Sequence, residues 1–390
     1  MKTKDFVNKN NKPIIPVRIR EARIARGLSL SDLADEIGVT KQAISKYELG
    51  VINIKSSVLL KIADVLDFPI NFFFKPKENG EENYSKSVVF FRSVRVPKKI
   101  TNAVEQKMEF IHEIVSFLSK YINFPCLDIF DIETNIPKGD LDNEKIEEIA
   151  LRLREHWGIG TKPIKNLSNL LLKKGFIISR IELNTTKVDA HSCWIKGTPY
   201  IILGSDKDCA VRTRFSLAHE LGHLILHSHL DDDEVKKNHE LIENEANRFA
   251  GAFLMPAESF ANDIYSASLD NFLLIKEKWK VSIASMIKRC YELDLITEDQ
   301  YRNLNKHLAI KRWKKKEPLD DVIEFEKPNI FKEAFDLLLE NNILNVDDIL
   351  NEIALKPDEI EKLCFLPENY FKNYINKTTK PKLKLIKYHK

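Results

Sequence analysis

Apolar positions recur with helical period along most of this chain, and short β-like runs interrupt them near its middle. Leu30, Leu33, Ala34 and Ile37 line one face of a predicted helix, with Ser29 as its N-cap and Asp32 in its first turn. Gly38 permits a tight turn, and Thr40 caps a second helix that turns Ile44 and Tyr47 inward. Arg18–Arg26 reads as the helix before this pair and Ser56–Leu66 as the one after it. Val104, Met108, Ile111, Ile114, Val115 and Leu118 mark a long amphipathic helix between Ala103 and Tyr121, expected to dock on the central domain or on a second copy. Ser192–Ile195 and Pro199–Leu203, around Lys196–Gly197–Thr198, read as two strands, and Val88–Phe91 as a short one. One of them is expected either to align an extended peptide or to cover the helices that follow.

Those helices carry the most specific chemistry. Phe215 to His223 sets two imidazoles and a carboxylate in H-E-x-x-H order. Residues four apart lie one above the other on a helix, so His219 and His223 can hold one metal ion while Glu220 projects beside it toward an activated water. A catalytic zinc needs a third protein ligand and an open position. Ile242 to Ala250 supplies the candidate, on a helix stopped by Leu254–Met255–Pro256. There Glu243 shares a face with Asn247, and Phe249, Ala250 and Phe253 form a stripe that presses against the first helix. Glu245 points about 200° around the helix from Glu243 and is the fallback ligand. His227 and His229 are expected in the frayed helix end, His239 in solvent, and Asp231–Glu234 in a solvated turn. Tyr200, His191, Arg212 and Arg214 are candidate donors to an oxyanion, none with a diagnostic spacing.

With both motifs in place, residues 145–300 resemble the ImmA/IrrE family of zinc metallopeptidases, through Arg214 to His223 and Glu243 to Pro256. The resemblance implies Zn2+ held by His219, His223 and Glu243, Glu220 as general base, and Asn247 in support. It also implies a zincin-like fold and endopeptidase activity.

Residues 17–75 are similar to the helix-turn-helix domains of the Cro/repressor class. In that class the second helix enters the major groove by its N-terminal end, which implies Lys41, Gln42, Ser45 and Lys46 as DNA-facing side chains. Gln42 is suited to adenine, and Arg18, Arg20 and Arg23 are phosphate candidates. The alternative is a protein-interaction module of the same fold.

The C-terminal part echoes this pattern. Leu344 to Lys356 aligns without gaps on the apolar positions of Leu28 to Thr40, and Ile360 falls where Ile44 does. Pro357, Asp358, Glu359 and Glu361 occupy its would-be recognition helix, and acids there repel phosphate. A protein-contact module follows, with a chance helical hairpin as the alternative.

The expected fold is therefore multidomain, mainly α with α+β. An all-α helix-turn-helix domain spans 17–75, a linker and amphipathic helix 76–144, a zincin-like domain with a small sheet 145–300, and a helical extension with a basic tail 301–390. That tail, residues 370–390, holds seven lysines and no acids, and Lys75–Ser87 is the linker proper. The 390 residues have 43% hydrophobic content, enough for two or three cores, and no run approaches the ~18 apolar residues of a membrane span. Five unclustered cysteines argue against a disulfide framework. A cytoplasmic regulator is expected. It would bind double-stranded DNA, cleave a protein such as a repressor, and form a possible homodimer. The alternative is a non-enzymatic repressor or antitoxin with a peptidase-like sensor domain.

Overall fold

In the computed structural model, α1 (Pro16–Ala25), α2 (Leu30–Ile37), α3 (Lys41–Glu48) and α4 (Ser56–Leu66) follow the N-terminal pattern. The structure describes residues 13–77, 90–91, 97–130, 141–182, 190–205 and 209–379. Ser29 and Asp32 exchange side-chain and backbone bonds in a capping box, and Gly38 ends α2 at φ 73, where a side chain would be strained. Ile19, Leu33, Ile44 and Ile62 form the core of this bundle, each fully buried.

Helix α5 (Lys98–Leu118) buries all six of its predicted apolar positions. The face expected to seek the central domain or a second copy is filled by the N-terminal helices instead. The Phe110 ring lies 5.7 Å from Phe72 and 5.9 Å from Phe68. Charge completes the joint, since Glu113 on α5 meets Arg18 on α1 at 2.6 Å. Of the expected linker, residues 78–87 lie outside the described residues.

The central part begins with α6 (Asn143–His156) and α7 (Leu167–Lys173). A four-stranded sheet follows in the order β1-β3-β4-β2, from β1 (Phe90–Phe91), β2 (Ile177–Ile181), β3 (Ala190–Ile195) and β4 (Thr198–Gly204). The expected pair is the antiparallel hairpin β3–β4, turning at Lys196 and Gly197, both at positive φ. Strand β2, parallel to β4, had no counterpart in the sequence reading. Ser179 and Arg180 break its apolar run although all five residues are buried, so it shows neither alternation nor a continuous apolar stretch. Of the short strand Val88–Phe91, Phe90–Phe91 pairs with β3, and residues 88–89 lie outside the described residues.

Against β3 and β4 packs α8 (Ala210–Leu226). After the short α9 (Asp232–Lys237), α10 (His239–Leu254) crosses it and is covered on its other side by α6. Gly222 allows the α8–α10 approach: a Cβ there would meet Phe249 Cδ1 at 3.1 Å and Ala246 Cα and O at 3.3 Å. Helices α11 (Ala257–Ala261), α12 (Leu269–Trp279), α13 (Ile283–Glu292) and α14 (Glu298–Ile310) complete this part.

The C-terminal echo is real at the level of local structure. After α15 (Ile330–Glu340) come α16 (Val346–Ile353), α17 (Pro357–Leu363) and α18 (Tyr370–Thr379). Asn345 and Asp348 repeat the capping box, and Ala354 takes the left-handed turn at φ 59 where Gly38 stands in the first copy. Ile360 is fully buried, as Ile44 is. The acidic α17 and the residues before it are held by the N-terminal helices of the same chain: Glu359 meets Arg26 at 2.9 Å, Lys356 meets Asp67, and Lys75 Nζ donates to Ile353 O at 3.0 Å. The tail expected from 370 begins as ordered helix, with Tyr370 and Phe371 buried; residues 380–390 lie outside the described residues.

Contacts therefore group the chain differently from the expected spans. The described parts of 1–82, 97–123 and 329–390 form one unit, and those of 83–96 and 124–328 the other. Residues 301–328 close onto the central part because buried Lys276 draws in Glu317 at 2.7 Å and Asp320 at 2.6 Å. No described helix is long and apolar enough to cross a membrane.

Candidate metal centre

His219 and His223 sit one turn apart on α8, and α10 brings Glu243 against both. The two Nε2 atoms are 3.0 Å apart, and the Glu243 oxygens lie 3.4 Å from His219 Nε2 and 3.2 Å from His223 Nε2. Two imidazoles and a carboxylate pointing at one place form a donor set that suits zinc and leaves a position open. Burial, opposed by the Glu243 hydrogen bond, pushes the His223 imidazole down to about 4, so the neutral, ligating form is the one the fold favours. Burial alone would raise Glu243, but the two imidazoles beside it hold it well below the usual carboxylate range.

The surrounding residues fix these three side chains. His219 Nδ1 lies 3.1 Å from Asn247 Oδ1, which leaves Nε2 free of its proton. Ser192 on β3, a residue that sequence reasoning missed, donates from Oγ to Glu220 Oε2 at 2.6 Å. Only its place in a predicted strand before the motif hinted at a role. His227 is not in a frayed end: it is buried, 3.1 Å from His223 Nδ1 and 2.8 Å from Glu245 Oε2. Glu245 accordingly faces His227 rather than the three-residue cluster. His229 is exposed and His239 half-buried. Among the expected oxyanion donors, Arg214 is taken up by Glu326 and the Ile164 carbonyl, while Tyr200 and His191 are buried and Arg212 exposed.

Residues 173–291 match the IrrE N-terminal-like domain of the peptidase M78 family, and residues 19–73 match the helix-turn-helix family. The chain joins a helix-turn-helix domain to an IrrE-like domain. An uncharacterized transcriptional regulator in the ATPase CF(0) region of Rhodospirillum rubrum is 42% identical over 67 residues, 17% of this chain and 62% of its own. A protein of Methanocaldococcus jannaschii named as an HTH-type transcriptional regulatory protein is 28% identical over 148 residues, 35% of this chain and 43% of its own. An oligoendopeptidase F homolog of Borreliella burgdorferi is 27% identical over 165 residues, 41% of this chain and 27% of its own. The chain thus spans less than two thirds of each of these relatives.

In the helix-turn-helix domain, Lys41, Gln42 and Lys46 are exposed on α3 and Ser45 is half-buried beside them. Thr40 caps the helix by accepting from Ala43 N at 3.2 Å. Two of the three phosphate candidates need correction. Arg18 is fully buried and bound to Glu21 at 2.9 Å and Glu113 at 2.6 Å. Arg23 forks onto Glu48 at 2.6 and 2.8 Å and donates to Leu28 O, tying α1 to α3. Both guanidiniums are spent on the fold, and Arg20 is the one left exposed.

Proposed function

We propose that this chain is a DNA-binding regulator whose IrrE-like domain is a zinc-dependent endopeptidase acting on a protein partner such as a repressor. The observation that carries the enzymatic half is the meeting of His219, His223 and Glu243 around one point with Glu220 beside it on the same helix. Zinc held by these three residues supplies Lewis-acid polarisation of a water and of the scissile carbonyl. Glu220 takes the proton of the attacking water and delivers it to the leaving amine, so no covalent enzyme intermediate is needed. Ser192 keeps the Glu220 carboxylate on the sheet side of α8. The DNA-binding half rests on the exposed polar and basic end of α3, with Lys41, Gln42, Ser45 and Lys46 toward base edges and Arg20 toward phosphate.

The deciding experiment compares the wild type with Glu220→Gln in cells and with purified partners. The variant is expected to keep zinc and the fold but leave the partner uncut; undiminished cleavage refutes the mechanism. A second reading has its own support. Relatives over parts of this chain are named as transcriptional regulators, which fits a domain that senses or scaffolds rather than cuts. Zinc binding without cleavage of any regulated protein, together with specific DNA binding, would decide for it.

A further inference from the structure

His227 has no part in the H-E-x-x-H motif, yet it continues the series one turn beyond His223. Once His223 serves as a ligand, its contacts permit only one arrangement of protons. His223 presents Nε2 to the place where His219 Nε2 and Glu243 Oε1 converge, at 3.0 and 3.2 Å, so a ligating His223 carries its proton on Nδ1. That Nδ1 is 3.1 Å from Nδ1 of His227, which must accept there and keep its own proton on Nε2. His227 Nε2 then donates to Glu245 Oε2 at 2.8 Å, and Glu245 Oε1 accepts from the Leu141 backbone N–H at 2.9 Å. His227 and Glu245 are 2% and 6% exposed, so bulk water scarcely competes for these bonds.

We infer that His227 and Glu245 are positioning residues for the metal centre: as a hydrogen-bonded relay they lock the His223 tautomer and aim its Nε2 as a donor. The inference rests on the zinc reading above. The relay passes from α8 through α10 to the backbone just before α6, so three elements set one ligand. Outer hydrogen-bond partners of this kind change metal affinity by roughly 10–100-fold.

The test uses the purified full chain with His227→Gln and His227→Met, which are close in size. The glutamine can accept from His223 and donate to Glu245; the methionine does neither effectively. Zinc affinity is read by competition with a chromophoric chelator, and the fold by the thermal midpoint of the metal-free protein. His227→Met is expected to stay folded and bind zinc roughly 10–100-fold more weakly than the wild type, with His227→Gln recovering much of the loss. Equal affinities for the two variants overturn the relay while leaving the metal site standing. No zinc binding by the wild type overturns the metal reading and the relay with it. Should neither variant fold, the imidazole 15N spectrum of the zinc-loaded wild type decides: a proton on His227 Nε2 supports the relay, and one on its Nδ1 overturns it.

Discussion

Ser192 Oγ stands 2.6 Å from Glu220 Oε2, joining strand β3 to the helix that carries both histidines. A hydrogen bond to a charged group contributes about 1.5–3 kcal/mol, and here it is made to the residue assigned as general base. Ser192→Ala is expected to lower kcat for partner cleavage by roughly 10–100-fold with zinc content unchanged. Steady-state kinetics beside metal analysis checks this, and an unaltered kcat would show that the contact does not order the base.

Removing ligands should separate the metal from its surroundings. A His219→Ala, His223→Ala double variant is expected to be purified with almost no zinc, and Glu243→Ala with sharply reduced content. Full occupancy in the double variant, measured by plasma emission, would refute the assignment.

Gly222 offers a test that touches no ligand. In Gly222→Ala the new methyl presses on the Ala246 backbone and the Phe249 ring, so α8 and α10 must separate by a few tenths of an ångström. Overpacking of this kind costs about 1–3 kcal/mol, partly offset by the ~1 kcal/mol that alanine gains over glycine in a helix. Zinc affinity should therefore fall more clearly than the thermal midpoint, because Glu243 rides on α10. Unchanged affinity in a chelator titration would mean that the two helices do not need this approach to form the cluster.

The arginines of α1 should divide by role. Arg20→Ala is expected to weaken binding to all DNA sequences and reduce the salt slope, and Gln42→Ala to cost about 1–3 kcal/mol at one preferred base. Arg18→Ala should destabilise the fold by about 1–3 kcal/mol, because Glu21 and Glu113 lose a buried partner and are left with Lys77 and Lys75. Binding titrations at two salt concentrations and chemical denaturation distinguish these outcomes. A folded Arg18→Ala protein of wild-type stability would contradict the buried pair.

The same pair gives a pH dependence. Burial would raise Glu113, but Arg18 outweighs it and holds the carboxyl below its ordinary 4.5. A depressed carboxyl stabilises the fold above its unfolded value and loses that stability as pH falls through the folded one. The helix-turn-helix unit should thus lose stability as pH drops below about 4.5, and Glu113→Gln should flatten that loss. Denaturation midpoints between pH 3 and 6 that are parallel for the two proteins would contradict the linkage.

Much of this was legible in the chain because helical period encodes which residues share a face. Ser29, Gly38 and Ile44 marked the turn between α2 and α3, and the spacing of His219, Glu220 and His223 marked the motif helix. The same period ranked Glu243 above Glu245 on α10, and α10 presents Glu243 to the histidines. What period does not encode is the neighbour across a packed interface. Arg18 looked like a phosphate ligand until Glu113, ninety-five residues away, met it in the core. His227 looked frayed until Glu245 closed over it, and α5 was expected on the central domain or a second copy until Phe68 and Phe72 met its apolar face. Local geometry follows from residues a few positions apart, whereas burial and charge pairing depend on which faces meet, and only the tertiary structure decides that.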